Sequence, residues 1–175
     1  MDEDYKKQIL EWYEIYSAPI YRYILLMIGD HEQAKDLTHD TFLKAYSSNS
    51  DFQGMTSDKN WLYRIARNVA IDYMRKRKPI RFLVESIGSL PSPDGCPESI
   101  IQLVEDQTQL FRSLRKLKRS YQEVIILRKI QELSIQETAE VLNWKESKVK
   151  TTLFRALSAL KKQMVKEGYE HGTIQ

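Results

Sequence analysis

The sequence predicts an all-α protein built as two small helical domains joined by a flexible linker, and three observations carry that prediction. Apolar residues recur at helical spacing through most of the chain. Helix start and stop signals fall between the periodic runs. A stretch holding Gly88, Pro91, Pro93, Gly95 and Pro97 interrupts the pattern near the middle. No strand pattern of convincing length and no internal repeat competes with them. A length of 175 residues suits two compact domains, and an apolar share of 42% supplies each with a core.

The elements follow in order. Tyr5, Ile9, Trp12, Tyr13 and Tyr16 recur on one helical face, and Ile20, Tyr23, Ile24, Met27 and Ile28 repeat the pattern before Gly29 offers a stop. Asp30 and Gln33 have the spacing of a capping box, so a new helix is expected from there to about Tyr46. Residues 47–58 are rich in Ser, Asn, Asp and Gly, whose side chains compete for backbone hydrogen bonds, and read as a loop. A longer helix is expected over 59–78, with Trp61, Leu62, Ile65, Ala66, Val69, Tyr73 and Met74 as its apolar stripe. Arg64, Arg67, Asn68, Ile71 and Arg75 fall mostly on its other side. Pro79 is expected to close it.

After the linker, a helix over about 100–117 is followed by two S-x-x-E capping boxes, Ser120 with Glu123 and Ser134 with Glu137. The resulting division is a first domain over 1–79, a linker over 80–105, a second domain over 106–166 and a tail over 167–175.

Charge is partitioned sharply. Residues 1–58 hold 5 basic and 11 acidic residues, whereas 59–81 hold 8 basic and 1 acidic; residues 82–111 hold 5 acidic and no basic, and 112–166 hold 14 basic and 5 acidic. Two positive zones separated by an acidic connector point to two places where a polyanion docks. Other functions find no support. Cys96 is the single cysteine, and His31, His39 and His171 lack ligand spacing, so no disulfide, metal or cofactor is expected. No phosphate loop, GxSxG or HExxH argues for an enzyme. No apolar run reaches a membrane span and the chain opens on acid, so a soluble cytoplasmic protein without membrane insertion is expected.

The segment from Leu133 to Arg155 fits a short helix, a tight turn and a second helix. Ala139 allows close crossing, and Asn143 stands where a left-handed residue is needed. Val149, Leu153, Leu157, Leu160 and Met164 form the expected buried stripe of the second helix. Its other face carries Ser147, Lys148, Thr151, Thr152 and Arg155, with Lys150 at the flank. Lysine and arginine reach phosphates or guanine edges and threonine methyls meet thymine, so this face suits the major groove of DNA.

The segment from Leu133 to Arg155, with Glu137-Thr138-Ala139 and Val149-Lys150, resembles the second conserved domain of extracytoplasmic-function (ECF) sigma factors, which reads the minus-35 promoter element. The run Asn60-Trp61-Leu62-Tyr63-Arg64-Ile65-Ala66-Arg67-Asn68, with Asp72 and Arg75, is similar to the signature W-L-Y-x-I-A-x-N-x-x-x-D-x-x-R of their first domain. Lys35 to Phe42 resembles the preceding polymerase-binding helix. His39-Asp40 departs from the family's usual Gln-Glu, and Lys118 from a common proline.

The resemblance implies a non-enzymatic subunit that binds core RNA polymerase and directs promoter-specific initiation, as of a stress or envelope-response regulon. An anti-sigma factor would be a further partner. By the same resemblance Asp36, His39, Asp40 and Leu43 meet the polymerase. Arg64, Arg67, Asn68 and Arg75 then line a groove for the unpaired minus-ten strand, with the loop from Phe52 to Asn60 as a base pocket. Trp61, Ile65 and Tyr73 are core, and Asp72 pairs with Arg75 or Lys76. Two alternatives stand beside this one: a stand-alone helix-turn-helix regulator, and a factor that sequesters polymerase.

Overall fold

The computed structural model describes residues 2–48, 50, 52, 54, 56–87 and 108–168. Every regular element among them is helical, and the chain divides into two units, Met1–Gly95 and Cys96–Gln175.

The first unit packs three helices pairwise: α1 (Asp2–Ile28), α2 (His31–Ser47) and α3 (Asp58–Ile87). Tyr5, Ile9, Trp12, Ile20, Tyr23, Ile24 and Met27 bury one face of α1. Pro19 lies inside α1 without ending it. The carbonyl deprived of its donor is that of Ile15, an exposed residue, so water can take the missing place. Gly29 stops the helix in the left-handed region (φ 72°) while its N–H still bonds the Leu25 carbonyl at 2.8 Å. Asp30 then caps α2: its Oδ1 accepts from the Gln33 N–H at 3.1 Å, and its Oδ2 accepts from Arg77 of α3 at 3.3 Å. One carboxylate thus starts α2 and ties it to α3.

The start of α3 is capped by Ser57, whose Oγ accepts from the Asn60 N–H at 3.2 Å. The expected stop at Pro79 is corrected: α3 continues to Ile87, so residues 80–87 are helix, not linker. Proline's φ is compatible with a helix, and the bond it removes belongs to the carbonyl of Arg75, again an exposed residue. The rest of the expected linker, 88–105, lies outside the described residues. Ile71 is corrected too. Expected opposite the apolar stripe, it is buried together with Tyr63, because α3 packs against both α1 and α2.

The second unit consists of α4 (Thr108–Lys116), α5 (Arg119–Ile125), a π-turn over Ile126–Ile130, α6 (Ile135–Leu142) and α7 (Glu146–Lys166). The expected helix over 100–117 is described only from Thr108. The capping box expected at Ser120 and Glu123 does not form. Lys118 is the N-cap (φ −61°, ψ 151°), Ser120 lies within α5, and Glu123 is buried. Lys118 adopts the φ that a proline would impose, and its carbonyl accepts from Tyr121 and Gln122 at 3.0 and 3.1 Å, so backbone geometry starts this helix two residues earlier. Val124, Ile125, Ile126, Leu127, Leu133, Val141, Leu142, Val149, Ala156, Leu160 and Met164 form the core.

Glu167, assigned by sequence to a tail, ties this unit together. Its carboxylate accepts from Ser113 at 2.8 Å, from Gln163 at 2.9 Å and from Lys116, and its carbonyl accepts from Gln109 at 3.2 Å. The Lys116, Gln163 and Ser113 donors pull its pKa down to about 2. A depressed carboxyl pKa stabilises the fold above the unfolded value, about 4.5, and that contribution is lost as pH falls toward 2. Glu167→Gln is therefore expected to destabilise the unit at neutral pH and to flatten its stability between pH ~4.5 and ~2. Acid titration followed by circular dichroism checks this; an unchanged acid limb would show that the carboxylate contributes nothing.

Candidate nucleic-acid and partner interfaces

The helix-turn-helix is assembled as the sequence predicts. Ser134 caps α6 by accepting from the Glu137 N–H at 3.0 Å, while the Glu137 carboxylate accepts from the Ser134 N–H at 2.7 Å. Asn143 ends α6 in the left-handed region (φ 56°, ψ 47°). Its N–H reaches the Glu140 carbonyl at 3.3 Å, and the Trp144 N–H reaches the Ala139 carbonyl at 2.9 Å. These are the two bonds of a Schellman motif. Ala139 is buried, and α6 packs on α7.

Ser147, Lys148, Lys150, Thr151 and Arg155 are all exposed on α7, and Thr152 is half-buried at the edge of that face. The buried stripe needs one correction. Leu157 is 37% exposed and Leu153 only half-buried, while Ala156 is fully buried in the sequence Val149, Ala156, Leu160, Met164. The small alanine sits where α7 is crowded, and the leucine one position on turns outward. Sequence reasoning also missed Phe154. It is 78% exposed and falls between Lys150 and Thr151 around the helix, an apolar ring on a polar face. Its departure from the buried stripe was the available signal.

In the first unit, Arg64, Asn68 and Arg75 are exposed along α3, and Arg67 is half-buried beside them. Asp72 lies 3.9 Å from Arg75, the pairing its spacing allows; both are exposed, so the pair contributes little stability. Asn60 departs from its expected place on the nucleic-acid face: it is 3% exposed, its backbone is held by Ser57, and its side chain belongs to the interior. Phe52 is half-buried against Trp12 and Trp61, at ring-centroid distances of 5.4 and 4.9 Å. The Trp12 Nε1 donates to Asp58 at 2.9 Å. Phe52, in the segment before α3, therefore rests on an aromatic floor. Trp61 is core as expected; Ile65 and Tyr73 are only half-buried, and Tyr73 receives a hydrogen bond from Arg77.

Asp36, His39, Asp40 and Leu43 are exposed together on α2. The His39 ring stacks on Tyr13 of α1 at 6.0 Å and 17°. Leu43, 65% exposed, joins Leu10, Tyr46 and Ile9 along an open apolar groove between α1 and α2. This exposed apolar strip, which Lys6 and His39 also line, is suited to a protein partner. Among the described residues no group of three or more His, Cys, Asp or Glu side chains could hold a metal, and no helix is long and apolar enough to cross a membrane.

Residues 12–80 match the family described as Sigma-70 region 2, and residues 107–160 match Sigma-70, region 4. The RNA polymerase sigma factor YlaC of Bacillus subtilis (strain 168) is 37% identical over 168 residues, covering 95% of this chain and 97% of YlaC. The ECF RNA polymerase sigma factor SigX of the same organism is 36% identical over 157 residues, covering 87% of this chain and 81% of SigX. Among solved structures, the sigma factor RpoE of Bartonella quintana, crystallised with the anti-sigma factor NepR, has a TM-score of 0.68 at 24% identity. That match covers 95% of this chain and 99% of RpoE, and it bears on the fold. Two family regions in order, with relatives matched over most of their length, show that the chain belongs to the sigma-70 family, in its extracytoplasmic-function group.

Proposed function

We propose that the chain binds core RNA polymerase through the α1/α2 groove with Asp36, His39, Asp40 and Leu43. It then opens and holds the minus-ten strand with Arg64, Arg67, Asn68 and Arg75 beside the Phe52 loop. The minus-35 duplex is read by Ser147, Lys148, Lys150, Thr151, Thr152 and Arg155 of α7, with Phe154 among them. The domains are those assigned from sequence, except that α3 extends the first past Pro79 and Glu167 closes the second. The observation that carries the proposal is the exposed basic and hydroxyl face of α7, set at the exit of an αL turn by a packed α6.

The protein itself is no enzyme; the polymerase makes the RNA, and both act in the cytoplasm. An anti-sigma factor, as in the Bartonella quintana complex, is the proposed inhibitor, and a stress or envelope-response regulon the proposed target. Run-off transcription with core enzyme and promoter fragments tests the whole. Promoter-specific transcripts only in the presence of this chain support it. Tight duplex binding by the chain alone, without transcription, would favour a stand-alone regulator, and core binding without promoter choice a sequestering factor.

Arg155→Ala and Lys148→Ala are each expected to lower promoter binding while core binding stays intact. A base contact is worth about 1–3 kcal/mol, whereas a phosphate contact gives a weaker, sequence-independent loss with a shallower salt dependence. Unchanged promoter use by either variant removes that residue from the interface.

A further inference from the structure

Trp144 lies between the two helices of the DNA-reading motif, and its indole is separate from the backbone bond that closes α6. Its backbone is fixed: the bond from its N–H to the Ala139 carbonyl, with Asn143 in the αL conformation, closes the end of α6. Its indole, half-buried, lies under the Lys148 ammonium, with Nζ 4.2 Å from the ring centroid. Lys145 is the N-cap of α7, so Lys148 is the third residue of that helix. A cation so close to a helix N-terminus opposes the macrodipole, and a lysine side chain has more rotameric freedom than almost any other. Left alone, this ammonium would be dispersed in solvent. The ring face instead attracts it electrostatically and fixes where it stands.

We propose that Trp144 is a positioning residue for promoter recognition. Its indole holds the Lys148 ammonium at the N-terminal end of α7, where a DNA phosphate is met, so that less side-chain freedom is lost on binding. The proposal rests on the reading of α7 as the DNA-facing helix. The bland alternative is that the Lys148 stem merely covers an otherwise wet indole. The two differ in what happens to DNA affinity when the ring is removed.

The test uses holoenzyme reconstituted from core polymerase and the full chain, bound to a fluorescent promoter fragment at several salt concentrations. Lys148→Ala should weaken binding and reduce the slope of log K against log salt by about one. Trp144→Leu should weaken binding about two- to five-fold with the slope retained, the size of an exposed cation–π contact. Its effect should vanish in the Lys148→Ala background. Because cation–π strength is greatest for tryptophan, Trp144→Tyr and Trp144→Phe should fall between wild type and leucine, all with unchanged core binding.

Equal losses from Trp144→Leu with and without Lys148 would overturn the proposal, as would no loss at all; the ring would then be packing alone. A Trp144→Leu chain that fails to fold leaves the tyrosine and phenylalanine variants to decide, since both keep a ring in the same place. If Lys148→Ala changes neither affinity nor slope while Arg155→Ala does, the Lys148 contact fails and α7 as DNA reader survives. If neither matters, the DNA-facing reading itself has failed.

Discussion

Trp12→Ala is expected to destabilise the first unit by about 3–5 kcal/mol, the usual cost of deleting a large buried aromatic side chain. Trp12 is buried and meets Tyr5, Phe52 and Trp61 edge-on or nearly so, at 6.4, 5.4 and 5.9 Å between ring centroids. Its removal opens a cavity under three rings at once. It also leaves the Asp58 carboxylate, at the first residue of α3, without its indole donor. Trp12→Phe separates the two effects: most of the packing remains, and only the charge-assisted bond is lost, about 1.5–3 kcal/mol.

The functional consequence follows from Phe52. Its ring seats this part of the loop on Trp12 and Trp61, so the proposed strand-capturing loop loses half of that seat when Trp12 is absent. Promoter opening should then fall more than core binding does. Hydrogen exchange would show the loss in α1–α3, with protection in α4–α7 unchanged. A Trp12→Ala chain that melts and opens promoters like wild type would mean that the cluster carries neither stability nor loop position.

The fold was legible where its determinants are local. Asp30, the Ser134–Glu137 box and Asn143 were readable because each acts on backbone within four residues, and the structure has all three. Local chemistry misled where tertiary burial outweighed it. Ser120 and Glu123 have capping-box spacing, yet Glu123 is taken into the core and Lys118 starts the helix. Pro79 was expected to end α3 because proline disfavours a helix interior by roughly 3 kcal/mol. That penalty does not decide the outcome here: proline's φ suits a helix, and the bond it removes belongs to the carbonyl of the exposed Arg75, where water can take the donor's place.

The candidate interfaces were legible to the same extent. A single-stripe pattern supposes that a helix is buried on one side. It placed Lys148, Lys150, Thr151 and Arg155 of α7 correctly on the exposed side. On α3, held between two helices, the buried arc is wider and takes in Ile71 and Asn60. Glu167 could not be found from sequence at all, because its partners Ser113 and Lys116 lie about fifty residues away. Trp144 over Lys148 has helical spacing but begins outside the helix, in the turn, so periodicity alone did not pair them.

Reversing both acids on α2, Asp36→Lys with Asp40→Lys, is expected to reduce core polymerase binding by on the order of 100-fold or more without unfolding the chain. Both residues are exposed, and surface changes of this kind usually alter stability by less than ~0.5 kcal/mol. Like charges brought together across an interface cost several kcal/mol, and a tenfold change in affinity corresponds to about 1.4 kcal/mol. Because both acids are exposed, the loss should appear mainly in a slower on-rate that salt partly restores. Leu43→Ala, in contrast, should speed dissociation with little salt dependence, since it removes apolar contact area. His39→Gln with Asp40→Glu should bind core at least as well as wild type, because it keeps hydrogen-bonding capacity and lengthens the acid. Surface plasmon resonance of the full chain on immobilised core enzyme resolves the two rates. A doubly reversed chain that binds core like wild type would remove α2 from the polymerase interface and leave the apolar groove to some other partner.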